Sequence, residues 1–275
     1  MRPAVVGHVE WIEFVHVAHV PKPGEIVHAD DRWETPGGGG AIAAVQLARL
    51  AGSSILFTAL GDDELGHRAR DGLTALGVQV ECSLRPEPQR RCFVYIDDDK
   101  ERTITVLGDR MGAHGSDPLA WDALDGVDGL YFTAGDDDAL RLARRSGALV
   151  ATSRVFEQLV RARVPIDAVV GSARDADERY VAGRMQPEPQ LVVMTEGGEG
   201  GWWERAGEPR GHFDAAPPPG PKVDAYGCGD SFAGGLAYGL GAGMSAEDAV
   251  DLAARCGAAC MTGRGPYEGQ LRTAG

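Results

Sequence analysis

The order of apolar and amphipathic segments predicts an α/β fold, a doubly wound and mostly parallel sheet with helices on both faces. Short apolar runs recur along the chain, and amphipathic stretches of helical length separate them. Two strand–turn–strand segments break that alternation, which adds a small β-sheet beside the main one.

The runs at residues 4–9, 55–60, 130–133, 148–152, 168–171 and 191–195 are continuously apolar rather than alternating, as strands buried on both faces must be. Helical patterns fall at 41–50, 64–76, 137–146, 175–182, 232–240 and 245–262. Asp136 to Asp138 suit the acidic first turn of a helix. Ser245 followed by Asp248 resembles a capping box, with Asp in place of the usual Glu or Gln. The interruptions are 11–20 and 25–29 around Pro21-Lys22-Pro23-Gly24, and 92–96 and 103–107 around the polar residues 97–102. Hairpins of this kind cannot easily join a parallel core. One domain over residues 1–275 is expected, with a β-sheet lid built from about 11–35 and 90–108. The apolar faces of such a lid suit pairing with a second copy, so a homodimer through the lid is expected. Asp97, Asp98 and Asp99 are read as a solvated turn rather than a metal cluster.

Composition narrows the chemistry. The formal charge is −14 and no Lys/Arg cluster is present, which argues against a nucleic-acid or anionic-membrane partner. Small-molecule chemistry is the better expectation, and an anionic ligand needs local compensation for the acidic surface. The five cysteines are odd in number and lack a CxxC pair, so free, mostly buried thiols are expected. No basic and apolar leader and no run of membrane-spanning length is seen, and the expected location is cytoplasmic.

The residues 224–230, Asp-Ala-Tyr-Gly-Cys-Gly-Asp, carry the chemical signal. Gly227 and Gly229 permit a tight turn that brings backbone N–H groups close to a ligand. A helix follows, and its unpaired first N–H groups favour a phosphate or developing oxyanion, with Asp230 at the mouth. A second cluster, Gly37 to Gly40, precedes the helix at 41–50. It fits the GxGxxA spacing, but a dinucleotide site also needs a clean strand before it, which residues 33–36 do not offer. No Walker loop is present.

With these motifs in view, the sequence resembles the ribokinase-like (PfkB-type) carbohydrate and nucleoside kinases over nearly its whole length. PGGGGAIAAVQLARLAG from Pro36 is similar to the family's N-terminal glycine signature, and ALGDDELGHRARDGLTALGV from Ala59 to the segment after it. VVMTEGGEGGWW from Val192 resembles the nucleotide-side TxGxxG turn, and DAYGCGDSFAGG from Asp224 the DTxGAGD signature. The resemblance implies a ribokinase-like fold and ATP-dependent phosphorylation of a sugar-like hydroxyl, with Asp230 as base and Gly227, Cys228 and Gly229 as anion hole. It implies nucleotide contacts at Thr195, Gly197 and Gly200, and substrate contacts around Gly37, Gly38 and Gly39. Magnesium on the ATP phosphates is implied, with Asp175 near it through the family's NxxE motif, here Ser172 to Asp175. Asp224 stands where some members hold a monovalent cation.

The departures bear on specificity. Ile42 replaces a common Asn and Ile12 falls near the usual sugar-binding Asp, so two polar contacts are lost. Glu10, Glu13 and His16 are the alternative hydroxyl contacts on that strand. A nucleoside kinase is the nearest alternative, favoured by an apolar pocket of Trp11, Ile12 and Ile42. A ligand-binding regulator on the same scaffold is the alternative outside catalysis, and a dinucleotide-dependent oxidoreductase stands further off.

Overall fold

The computed structural model describes residues 1–273, so the last two residues of the expected domain lie outside the described residues. Its main sheet has nine strands. They are β1 (Pro3–Val6), β4 (Ser54–Gly61), β5 (Val78–Arg85), β8 (Gly129–Phe132), β9 (Ala148–Thr152), β10 (Ala168–Ser172), β11 (Leu191–Thr195), β12 (Gly201–Arg205) and β13 (Gly211–Phe213). The spatial order is β13-β12-β11-β10-β9-β8-β1-β4-β5. Pairing is parallel from β5 to β11, while β12 and β13 close one edge as an antiparallel pair. A second sheet contains β2 (Glu10–His16), β3 (Asp31–Gly37), β6 (Arg91–Ile96) and β7 (Arg102–Leu107), ordered β3-β2-β6-β7.

The parallel strands are apolar throughout because both faces are covered. Along β1, Val5 belongs to one core while Ala4 and Val6 belong to the other, as the two-residue period of a strand requires. Helices α1 (Gly39–Ala51), α2 (Glu64–Ala75), α5 (Cys228–Gly241) and α6 (Ala246–Cys260) contribute to the first core. The shorter α3 (Asp137–Ala143) and α4 (Phe156–Ala162) cover the second, together with a 3-10 turn at Trp121–Gly126. Starts are capped as the local sequence asks: Asp63 accepts from Gly66 N at 2.8 Å, Asp136 from Ala139 N at 2.7 Å and Ser245 from Asp248 N at 3.1 Å.

Strand order reverses at β1. The chain leaves β1 for β4 and β5 on one side and later returns to β8 on the other. At such a switch point the loops beyond the two strand ends part and leave a crevice, here just after Val6 and Phe132.

Two expected elements differ. Residues 25–29 form no strand; pairing with β2 is made by Asp31–Gly37 instead, across a long loop. Pro36 fits there because β3 is an edge strand, which can lack an N–H donor. β3 is also antiparallel to its neighbour, unlike the parallel strand of a dinucleotide fingerprint. The helix expected at 175–182 is only a 3-10 turn at Ala176–Glu178. Asp175 folds over it to accept from Asp177 N at 3.0 Å, and Glu178 reaches back to Ser172 N at 2.8 Å, so side chains take the bonds that a helix would have made. The cysteines are free, with Cys92, Cys256 and Cys260 buried and Cys82 and Cys228 partly so.

Candidate functional site

The crevice beyond β1 and β8 receives both glycine clusters. β3 delivers residues 37–40 to the start of α1, and a glycine turn starts α5 inside the 224–230 segment itself, four residues before the expected Phe232. The two meet at Gly39 and Asp230. A Cβ on Gly39 would stand 2.8 Å from Asp230 Oδ1, 3.3 Å from His8 Cε1 and 3.3 Å from Thr133 Oγ1, so only bare backbone fits between these groups. His8 follows β1 and Thr133 follows β8, which puts the meeting point at the switch point of the sheet.

Gly227 caps α5 with φ 84°, a left-handed conformation that side chains resist. The first N–H groups of α5, at Cys228 and Gly229, have no partner within the helix. Gly229 is exposed, and a Cβ there would meet nothing within 4 Å. Asp230 occupies the same first turn, partly open to solvent but deep between the glycine clusters. Burial and the negative charge of Glu178 push its carboxyl up to about 6, against the opposing pull of Arg154 and Arg102. A hydrogen bond with Cys260 holds the Cys228 thiol below its ordinary value. Asp224 ties the motif down: its oxygens accept from Tyr226 N at 2.8 Å and Gly265 N at 2.6 Å, while burial raises its pKa.

His8 lies beneath Gly39, whose N–H it accepts at Nε2 over 3.3 Å. That bond assigns the proton to Nδ1, which is buried without a partner among the described residues. Burial, then the positive charges of Arg110, Arg90 and Arg154, hold His8 well below its usual pKa, so it is the neutral form that faces the site. Glu10 is buried, accepts the Cys92 thiol at 2.9 Å and lies 2.7 Å from Arg90 Nε. That contact is an ion pair rather than an aligned hydrogen bond, since Arg90 Nε finds no acceptor along its N–H direction.

Other sequence candidates are placed apart. Ile12 and Ile42 are fully buried, packed behind Gly37 and Gly227, and offer no surface to a ligand; Trp11 is 5% exposed. Glu13 pairs with Arg91, and His16 Nδ1 lies 2.7 Å from Asp30 on the outer part of β2. Thr195 ends β11, donates to Gly171 O at 3.2 Å and leads into a tight turn through Gly197 and Gly200, whose φ values are 64° and 83°. That turn lies four strands from β1 along the sheet.

Asp175 does not fit a metal ligand in this arrangement. One oxygen accepts Arg154 Nη2 at 2.7 Å and the other caps the 3-10 turn. Among the described residues no group of three acidic, His or Cys side chains could hold a metal ion. Arg154 also lies 2.5 Å from Glu178 Oε1. His8, Arg90, Arg110, Thr133, Arg154 and Glu178 were not singled out in the sequence, where each is a lone polar residue with no telling spacing.

Comparison with known proteins agrees with this geometry. The fructokinase of Salmonella typhimurium is 28% identical over 290 residues, an alignment covering 86% of this chain and 91% of that protein. The ATP-dependent ribose-1-phosphate kinase of Halopiger xanaduensis is 24% identical over 275 residues, covering 94% and 91%. The ribokinase structure from Thermotoga maritima superposes with a TM-score of 0.78 at 20% identity, covering 98% of this chain and 96% of that one, and shares its fold. The family model described as pfkB family carbohydrate kinase matches residues 2–274, and the chain belongs to that family.

Proposed function

We propose that this protein transfers the γ-phosphoryl group of ATP to a hydroxyl of a sugar or sugar-like molecule. The observation that carries the reading is the convergence of Asp230, the open first turn of α5 and the bare Gly39 backbone at one switch-point crevice. Asp230 accepts the proton of the attacking hydroxyl; its pKa of about 6 leaves it ionised at neutral pH yet basic enough to take that proton. The N–H groups of Cys228 and Gly229, at the positive end of α5, stabilise the charge on the transferring phosphoryl oxygens. The nucleotide lies along the Thr195 to Gly200 turn. The partly exposed Arg174, paired with Glu199 at 3.0 Å, stands beside Gly197 as a cation for its phosphates. Positioning and electrostatics then supply most of the rate.

Relatives named for fructose and for ribose 1-phosphate support a sugar acceptor. The full burial of Ile12 and Ile42 removes the apolar platform that favoured a nucleoside. The small sheet is proposed as the cover of the acceptor, as its place over Glu10 and Gly37 suggests. ADP release measured across sugars and nucleosides tests the assignment, with turnover expected on sugars. Asp230→Asn is expected to keep the fold and lose about 10²–10⁴-fold in kcat. Turnover within a few-fold of wild type in that variant would remove Asp230 from the mechanism.

A further inference from the structure

One guanidinium at the crevice has no part in the transfer just described. After β7 the chain crosses from the small sheet to the main one. A Cβ on Gly108 would lie 3.9 Å from Arg90 Cα, one on Gly112 would lie 2.8 Å from Gly135 N, and Ala113 bridges to Gly135. Arg110 is at the middle of this crossing, between Arg90 and the end of β8 that carries Thr133.

The neighbouring charges are unevenly matched. Arg154 is balanced by Asp175 and Glu178, and Arg90 faces Glu10. Arg110 makes no hydrogen bond or ion pair among the described residues. It is nevertheless in a crowded position, where burial and then the like charges of Arg90 and Arg154 work against its protonated form. A partly desolvated cation among other cations is unfavourable unless an anion completes the group. Two further donors beside it also lack acceptors, Arg90 Nε and His8 Nδ1. In a chain of net charge −14, such a local excess of donors is directed at a ligand.

We propose that the acceptor is a sugar carrying an anionic group, and that Arg110, backed by Arg90, receives that group while the hydroxyl to be phosphorylated faces Asp230. The inference rests on the kinase reading above. The nucleotide phosphates are the other anions in reach of such a protein, but the Thr195 to Gly200 turn is four strands from β1, roughly 19 Å at ordinary strand spacing. Arg110 is on the acceptor side, next to Arg90, Glu10 and His8. A neutral sugar offers hydroxyl dipoles to a guanidinium, whereas a phosphate, sulfonate or carboxylate offers charge and the paired oxygens that its fork geometry matches.

The test uses matched acceptors: neutral pentoses and hexoses, their phosphate monoesters, sulfonates and the corresponding sugar acids. ADP release is expected to favour the anionic members by about 10–100-fold in kcat/KM, the usual scale of a charge-assisted contact. Which anion leads identifies the group. Arg110→Ala is expected to raise KM for the anionic acceptor by a similar factor, to move KM for ATP much less and to abolish the preference over neutral sugars. Arg110→Lys should recover part of it, which a loss of folding would not allow. Equal turnover of neutral and anionic sugars overturns the proposal. So does an Arg110→Ala effect on KM for ATP alone, which would assign the guanidinium to the donor phosphates. Calorimetric titration of wild type and Arg110→Ala with the same sugar phosphates and sugar acids reads the site without turnover. Binding lost in the variant supports the anionic subsite even if no sugar is phosphorylated, an outcome in which only the kinase reading fails; absence of binding to wild type overturns the subsite.

Discussion

Asp230 sits between opposed fields, and its titration can be followed in two independent ways. Burial and Glu178 raise its pKa to about 6, while Arg154 and Arg102 pull the other way. As a base it must be ionised, so kcat/KM is expected to fall about tenfold per pH unit below pH 6. An acid limb centred near 4 would contradict the raised value. Stability carries the opposite sign. A carboxyl whose folded pKa lies above its unfolded one stabilises the fold when protonated, and that contribution is lost as pH rises through about 6. Asp230→Asn should therefore melt above wild type at pH 8, by roughly 2–4 °C, with the gap closing toward pH 4. An equal or lower melting temperature at pH 8 would mean that the folded protein does not disfavour the charge. Cys228 is expected to be replaceable: its backbone N–H, not its thiol, faces the transfer, so Cys228→Ala should keep most turnover.

At the level of elements, the β6–β7 hairpin is fastened to the 222–226 segment at its tip. Arg102 donates to Ala225 O, and Lys222 Nζ lies 2.9 Å from Glu101. At the other edge of the sheet, Arg264 reaches Asp31 at 2.6 Å and stacks 4.1 Å over the Trp33 ring. These are exposed pairs, each worth about 0–1 kcal/mol, which suits a cover that must open and close. Arg102→Ala is expected to shift the melting temperature little but to lower kcat/KM by about tenfold, because the hairpin no longer seats. It should also move the acid limb of the rate profile to higher pH, since a positive charge that favoured ionised Asp230 is gone. An unmoved limb would separate Arg102 from the site. The hairpin and its polar turn could be read from the chain, because alternation and turn residues are local signals. Its fastening to Ala225 could not, because those residues are 123 positions apart.

At the scale of the molecule, the small sheet leaves apolar surface uncovered. Ile104 and Val106 are 41% and 45% exposed, although their cross-strand partners Val94 and Cys92 are buried. All four share one face, at the open edge formed by β7. A second copy placing its own sheet there would cover both residues, so a dimer is expected in light scattering at micromolar concentration. Ile104→Glu combined with Val106→Glu should give a monomer, and a monomeric wild type would refute the pairing. The sequence by itself determined the parallel sheet, the two glycine turns and the carboxylate beside one of them, because period, capping and turn chemistry act over a few residues. Its order of motifs also carried the family. Only the tertiary structure decided that Ile12 and Ile42 are sealed behind Gly37 and Gly227, and that residues 175–182 spend their side chains on an Arg154 network instead of a helix. It alone gathered Arg90, Arg110 and Arg154 around His8. Those residues come from separate segments that meet where strand order reverses, and a contact made through space leaves no periodicity along the chain.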